Sequence, residues 1–180
     1  MIYRNGTTVR NAIMTVAELM CAAARTAPKA RGTDTIETLI LDGTEKDELT
    51  TRMREIGERL GKEFFIRDAG NLDAAPMLVL IGSNPAPRGL DCALCGVPDC
   101  ETAARDDISC AIDITDLGIA VGSAASIAMD NRIDNRIMFS AGMAALELKM
   151  FSDSIKIGYG IGLSATGKSI FFDRPAINYS

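Results

Sequence analysis

Residues 77–82 have the sequence MLVLIG, which is apolar without interruption, and Asn84-Pro85 follows it. A strand with one face in solvent alternates apolar and polar residues, whereas a strand covered on both faces is apolar throughout. Proline lacks the backbone N–H that a sheet uses, so the strand ends before Pro85. The stretch therefore predicts a central strand that is buried on both faces.

Segments on either side of this strand alternate between helical and extended patterns. Apolar and small residues at helical spacing predict helices at about 8–25, 44–60, 117–130 and 137–150. Compact β-branched or extended segments predict strands at 36–41 and 155–163. The alternation predicts an α+β fold, or a layered α/β domain, in which helices cover a sheet. No repeat or linker divides the chain, so we expect a single domain over residues 1–180.

The composition excludes several classes of function. The 180 residues carry a net charge of -5 and only 5% are aromatic, which argues against a nucleic-acid partner. The chain has no histidine, so Ser-His-Asp or Cys-His catalysis and zinc bound by histidine are excluded. The N-terminus is polar from Arg4 onward, and the uncharged stretch Leu117–Met129 is shorter than the roughly 20 residues that span a bilayer. We therefore expect a cytoplasmic protein without a membrane partner.

Four of the five cysteines cluster in one segment, residues 88–112. Their spacing is Cys92-x2-Cys95-x4-Cys100-x9-Cys110. In a reducing compartment such a cluster indicates a metal or redox site and not a set of disulfides. Structural zinc usually has two close cysteine pairs, whereas this segment has one, and an iron–sulfur cluster accepts uneven spacing of four thiolates. We therefore predict that these cysteines bind an iron–sulfur cluster; a structural zinc site made by the same four cysteines and a segment without metal are the alternatives.

The charges of this segment bear on its redox behaviour. Its acidic and basic residues give a net charge of -3, with Asp91, Asp99, Glu101, Asp106 and Asp107 against Arg88 and Arg105. Negative surroundings disfavour the addition of an electron, which predicts a low reduction potential. The alternative is that these residues only solvate a surface loop.

Residues 162–169, GLSATGKS, match the Walker A pattern but lack its context. A P-loop is followed by a helix and further strands, and only 11 residues follow Ser169. Nucleotide hydrolysis is therefore not expected. Lys168 and Arg174 still place cations near glycines, which would suit the phosphate of a cofactor; an ordinary turn with solvated bases is the alternative.

The spacing C-x2-C-G-x3-C over residues 92–100, followed by a short stretch rich in Glu, Ala and Arg, resembles a known redox motif. It is similar to the four-iron cluster motif of redox-chain subunits and corrinoid iron–sulfur proteins. The resemblance implies a [4Fe–4S] cluster, with Cys110 as the remaining cysteine of the segment.

Four further segments resemble a diverged flavin-dependent nitroreductase. They are AAARTAPKARG at 22–32, AAPMLVLIG at 74–82, the small-residue helix at 116–130 and GLSATGKSIFFDR at 162–174. In detail the chain is most similar to a family of bacterial and archaeal proteins described as containing a ferredoxin domain. The nitroreductase resemblance implies an α+β fold, an intertwined homodimer and flavin mononucleotide (FMN) at the dimer interface. It places Arg25 and Lys29 beside the flavin, and Lys168 or Arg174 near its phosphate.

Together these features predict a soluble redox protein that passes single electrons to a partner protein or a small-molecule acceptor. If FMN is bound, the protein is a flavin-assisted oxidoreductase. The alternative function is a non-catalytic dimeric binding module whose cysteines hold structural zinc. The segment 117–129 is rich in Gly, Ala and Ser, which favours close helix packing, either in a homodimer or within one chain.

Overall fold

The computed structural model of the protein describes residues 1–172. These residues form six α-helices and four β-strands. The helices are α1 (Asn5–Thr26), α2 (Gly43–Leu60), α3 (Glu63–Ala74), α4 (Cys100–Arg105), α5 (Ala111–Asp130) and α6 (Phe139–Glu147). The strands are β1 (Ile36–Leu41), β2 (Met77–Ser83), β3 (Asp134–Met138) and β4 (Ile157–Ser164).

The four strands make an antiparallel sheet in the order β1-β2-β4-β3. Strand β2 lies inside the sheet, and all seven of its residues are buried. Successive side chains of a strand point to opposite faces, so Val79 joins the hydrophobic core on one face and Leu80 joins the core on the other. The predicted central strand and the α+β fold are therefore confirmed.

Helices cover both faces of this sheet. Helices α1 and α5 pack together on one face, where Met20 and Leu117 share a core with Val79. Helices α2, α3 and α6 cover the other face, where Met53 shares a core with Leu80. The two cores explain why β2 is apolar along nearly all of its length.

Helix α6 lies very close to β4 because both elements have glycine at the contact. A Cβ atom on Gly142 would lie 1.8 Å from the carbonyl oxygen of Gly158. A Cβ atom on Gly160 would lie 2.6 Å from the Cβ of Ala141. The two backbones therefore touch without a layer of side chains between them.

The predicted helix at 137–150 is wrong at its start. Its first residues belong to the edge strand β3, where Ile137 lies opposite Ile161 of β4. The pairing with β4 decides this conformation, because an edge strand of five residues has too short a pattern to be recognised in the sequence. Helix α6 begins only at Phe139.

Two helical segments extend beyond the predicted ranges. The prediction omits α3, although Phe65 and Leu72 recur at helical spacing and both are buried. Helix α5 begins at Ala111, ahead of the predicted start at Leu117. Its first turns lack an apolar pattern, because aspartates occupy two of their buried positions. Asp113 and Asp116 occupy inward positions where the sequence pattern would require apolar residues.

Helix α5 is the one helix among residues 1–172 that is long and apolar enough to cross a bilayer. Of its most apolar 18-residue window, 39% is buried inside the protein. The core helix of a globular protein passes the same test, so α5 is weak evidence for a membrane span. Its exposed positions between 114 and 129 carry no charge, and we call this surface the α5 face. It consists of Ile114, Thr115, Gly118, Ile119, Gly122, Ser126 and Met129.

We expect Gly142→Ala to destabilise the protein, because the methyl group would overlap the Gly158 carbonyl and force α6 away from β4. The free energy of unfolding, measured by urea denaturation, should fall by about 1–3 kcal/mol. Gly70→Ala in α3 is the matched control, since no described atom outside its own helical turn lies within 4 Å of a Cβ at that position. That control should be neutral or stabilising by up to about 1 kcal/mol. Equal losses in both variants would contradict the close contact.

Candidate functional site

The cysteine segment begins where β2 ends. After Ser83 the chain leaves the sheet and forms an irregular loop that lasts until α4. Four loop residues have positive φ angles, namely Gly89 (67°), Asp91 (46°), Ala93 (58°) and Gly96 (81°). Glycine adopts this left-handed region freely, whereas Asp91 and Ala93 adopt it at a cost. These residues turn the chain repeatedly, so the loop folds back on itself.

All four cysteines of the predicted site line one cavity. The cavity has a volume of about 10 Å³, and its other walls include Arg88, Leu90, Val97, Ala103 and Ile112. Cys110 is only 2% exposed, and Cys95 and Cys100 are partly buried. Cys92 lies exposed at the surface. The fold therefore brings the four thiols of residues 92–110 around one space that is closed on one side and open on the other.

Backbone hydrogen bonds hold the buried end of the segment in place. The amide of Cys110 donates to the carbonyl of Pro85 (2.8 Å), which joins the end of the segment to its start. The amide of Ala111 donates to the Sγ of Cys95 (3.2 Å). Such N–H···S bonds stabilise the negative charge of a thiolate. Cys110 also occupies the position before the first residue of α5, where the positive end of the helix dipole favours negative charge.

Cys100 is held by the first turn of α4. Its amide donates to Oδ1 of Asp91 (2.8 Å), so the left-handed part of the loop is joined to the helix. Asp99 caps the helix, since its Oδ1 accepts from the amide of Thr102 (2.7 Å). This hydrogen bond lowers the pKa of Asp99, because it favours the charged carboxylate.

The donor set fits an iron–sulfur cluster. Within residues 1–172, no group of three His, Cys, Asp or Glu side chains lies close enough to hold one metal ion. A single zinc ion would need four thiolates at about 2.3 Å from one point. In a cluster each thiolate binds its own iron, so the ligands surround a space and do not converge on one atom. The four thiols that line this cavity supply the ligand type and number that a cluster needs, and a structural zinc site uses the same ligands.

A buried ion pair borders the cavity and was not predicted as a pair. Asp113 on α5 is fully buried, and its carboxylate accepts from the guanidinium of Arg88 and the hydroxyl of Ser83. Thr35 also donates to it (2.9 Å). Breaking such a pair leaves an uncompensated buried charge and costs about 3–5 kcal/mol. No local pattern reveals the pair, because 25 residues separate its members.

Arg25 and Lys29, which the nitroreductase resemblance places beside a flavin, lie together at the end of α1 and bind groups of this chain. The Nη1 of Arg25 donates to the carbonyl of Ile36 (2.7 Å), and its Nε is 3.0 Å from Asp34. The side chain of Lys29 is 4% exposed. Its ammonium donates to three carbonyls at the end of α1, those of Ala24, Arg25 and Ala27. Lys29 thus stabilises the helix C-terminus.

Lys168 lies at the other end of the sheet from Arg25. Arg25 binds the first residue of β1, and Lys168 follows the last residue of β4. The register places the starts of β1 and β4 at the same end of the sheet. The eight residues of β4, at about 3.3 Å each, separate the two ends by about 25 Å. Arg174 lies outside the described residues. Within the described residues of one chain, Arg25 and Lys168 therefore lie apart, and the predicted flavin contacts stay a prediction.

The Walker-like match also has a structural role. Gly162 and Ser164 lie within β4, so the match begins inside a strand where a P-loop would have its phosphate-binding turn. A Cβ atom on Gly162 would lie 2.7 Å from Leu72. This glycine therefore serves packing of β4 against α3.

We expect the amide of Thr102 to report the protonation of Asp99. Its NMR signal should shift as the pH falls through the lowered pKa of Asp99, because a protonated carboxyl is a weaker acceptor. The cap stabilises α4 at neutral pH and is lost in that acid range, since a lowered pKa in the folded state means that protonation opposes folding.

Two variants test the same cap. Asp99→Asn should keep the cap without the titration, whereas Asp99→Ala should speed hydrogen exchange at Thr102. Equal exchange rates in the two variants would show that the side chain does not cap α4.

Comparison with known proteins identifies relatives in sequence. Residues 106–174 match a family described as "Uncharacterized protein containing a ferredoxin domain" (DUF2148). That match includes Cys110 and begins after the other three cysteines of the segment. An uncharacterised protein of Archaeoglobus fulgidus is 38% identical over 165 aligned residues, and the match covers 87% of this chain and 88% of that protein.

Solved structures of nitroreductases and of a BluB-like flavoprotein share the fold. The nitroreductase CinD from Lactococcus lactis in complex with nicotinic acid has a TM-score of 0.61 at 18% identity, covering 93% of this chain and 82% of that one. A BluB-like flavoprotein from Clostridium difficile 630 has a TM-score of 0.58 at 16% identity, covering 91% and 84%. A nitroreductase with bound FMN from Desulfitobacterium hafniense has a TM-score of 0.57 at 14% identity, covering 98% and 84%. The chain thus has a nitroreductase-like fold and belongs to the family described as containing a ferredoxin domain.

Proposed function

We propose that the protein is an electron carrier that binds a [4Fe–4S] cluster through Cys92, Cys95, Cys100 and Cys110. The observation that carries the proposal is the single cavity that all four thiols line. The family description, which names a ferredoxin domain, supports it. All five cysteines are free, which fits a reducing compartment such as the cytoplasm. When bound, such a cluster accepts and donates single electrons.

The chain's own residues would hold and shield the cluster. Val97, Ala103 and Ile112 give the cavity an apolar wall. The amide of Ala111, which donates to the Sγ of Cys95, would stabilise the charge on that ligand. Hydrogen bonds to sulfur and exposure to solvent both change the reduction potential of a thiolate-bound cluster. These groups therefore support redox chemistry as well as binding.

Electrons would enter and leave through the exposed side of the cavity. Leu94 is 64% exposed and Leu90 is 44% exposed, close in sequence to the exposed Cys92. A redox partner protein or a small-molecule acceptor would approach over this apolar spot. Acidic residues that are also exposed in the segment, Asp91, Glu101, Asp106 and Asp107, would favour a partner with a positively charged surface.

We also propose a homodimer in which the α5 face joins two copies of the chain. That face is uncharged, and Gly118 and Gly122 lie one turn apart on it. Small residues let two helix backbones approach closely, and charged residues are depleted at the centre of an interface. No other element of residues 1–172 covers the α5 face, so a second copy of the chain can pack against it.

FMN binding stays a prediction that would require this dimer. One chain leaves Arg25 and Lys168 at opposite ends of the sheet, and the ammonium of Lys29 already binds three carbonyls. A flavin that contacts both Arg25 and Lys168 would therefore lie between two chains. The proposed electron transfer does not depend on it.

We expect protein prepared without oxygen to hold about four iron and four sulfide atoms per chain and to show a broad visible absorption. Replacing any one of the four ligands by alanine should lower the iron content, because the iron that this thiolate binds loses its protein ligand. The measurements are metal and sulfide analysis together with absorption spectra.

Cys21→Ala is the matched control. Cys21 lies on α1, outside the cavity, and burial raises the pKa of its thiol, which makes it a poor ligand at neutral pH. This variant should keep its iron. A colourless protein that holds about one zinc per chain and unfolds when the zinc is removed would contradict the cluster. That result would support a binding module with structural zinc. Flavin released on denaturation would establish FMN binding.

We expect Gly122→Glu to convert the dimer to monomers, because the charge would be buried between two copies. Within one chain the new side chain has room, since no described atom outside its own helical turn lies within 4 Å of a Cβ at Gly122. Gly70→Glu places the same charge on the exposed side of α3 and should leave the protein dimeric. Light scattering measures the molar mass of the protein in solution, and a wild-type protein with the mass of one chain would refute the interface.

A further inference from the structure

Arg88 is a buried cation in the wall of the cavity that the four cysteines share. Its side chain is 6% exposed. Its Nη2 donates to Asp113 and to the hydroxyl of Thr35 (2.6 Å). Its Nε is also buried, and it finds no hydrogen-bond partner among residues 1–172. A permanently charged N–H donor has therefore been withdrawn from water without a full set of acceptors.

Buried donors without partners are rare in folded proteins, because each one loses its hydrogen bonds to water. Asp113 is the charged group that binds the guanidinium, and the cavity that Arg88 lines is also lined by the four thiols. Thiolates are negatively charged and accept hydrogen bonds, and so do the sulfur atoms of a cluster that they bind. The unused Nε–H of Arg88 thus matches the chemistry of the cavity.

We propose that Arg88 is a positioning residue that sets the reduction potential of the cluster. This proposal rests on the proposed function. The Nε–H would donate to a sulfur atom of the filled site, and the positive charge would favour the reduced form, which carries one more negative charge. No covalent bond changes; the guanidinium stays protonated throughout.

Asp113 opposes this effect. Its carboxylate is fully buried, it holds the guanidinium in place, and its negative charge disfavours the reduced form. The acidic residues on the exposed side of the loop are screened by water and salt, whereas the buried pair is screened much less. The net charge of the cysteine segment is therefore a poor guide to the reduction potential of the cluster. The balance between the buried charges of Arg88 and Asp113 has the larger effect.

Replacing Arg88 and replacing Asp113 should then shift the reduction potential of the cluster in opposite directions. In Arg88→Met the equilibrium ratio of reduced to oxidised cluster at a fixed applied potential should fall at least tenfold. A tenfold change corresponds to about 59 mV for a one-electron couple. Arg88→Lys keeps the charge and lacks the Nε donor, so its ratio should fall less. In Asp113→Asn the ratio should rise.

The experiment is a mediated redox titration of the full chain, reconstituted with iron and sulfide without oxygen and followed by absorption and electron paramagnetic resonance. Iron and sulfide contents are measured for every variant, and circular dichroism checks the fold. Arg136→Met is the matched control, because Arg136 lies 3.7 Å from another buried carboxylate, that of Asp68. Arg136 belongs to β3 and pairs with Gly162, which places it at the other end of the sheet. Its replacement should leave the ratio unchanged.

Different failures have different meanings. Wild-type protein that takes up no cluster refutes the proposed function, and the role of Arg88 falls with it. Wild-type protein with a full cluster, combined with an unchanged ratio in Arg88→Met, refutes the role of Arg88 alone. The same conclusion follows if Arg88→Met and Asp113→Asn shift in the same direction, or if Arg136→Met shifts as much. If Arg88→Met does not fold, the opposite shifts of Arg88→Lys and Asp113→Asn decide the question.

Discussion

The pairing of β2 on both edges, together with its burial on both faces, holds the rest of the molecule in place. Its backbone binds β1 on one edge and β4 on the other, and its side chains enter two separate cores. A nearly uniform apolar strand does not specify its register by polarity. The backbone pairing with β1 and β4 gives the register, and Gly82 lies at a tight contact, since a Cβ there would lie 2.6 Å from Ile155. Strand β2 ends at Ser83, and the cysteine segment starts from that point.

The candidate metal centre is anchored at its buried end and exposed at the other. The Cys110 amide binds the carbonyl of Pro85, and the Ser83 hydroxyl binds Asp113, so the sheet, the loop and α5 are joined at one place. Cys92 lies on the exposed side. Hydrogen bonds therefore hold the buried end of the segment, while its other end is accessible to a second molecule.

The fold and the centre give separate information about function. Nitroreductase-like structures provide the scaffold, and a shared scaffold at this level of identity does not transfer an activity. The cysteine cavity lies beyond the end of β2, whereas the residues predicted to bind flavin phosphate belong to the end of β4 and the segment after it. The thiols of the loop and the buried charges behind them support electron transfer. The likeness of the sheet to nitroreductase structures does not add to that support.

Local patterns in the sequence determined the central strand, the α+β class and the clustering of the cysteines. These features depend on residues close together in the chain, as in MLVLIG at 77–82 and the C-x2-C pair. The tertiary structure alone decided the start of α6, since β3 exists only through its pairing with β4. It also decided that Lys29 stabilises a helix end and that Arg88 meets Asp113 across 25 residues. The physical reason is the same in each case: a hydrogen bond or ion pair between distant segments leaves no periodic trace in the sequence and forms only after the sheet has brought those segments together.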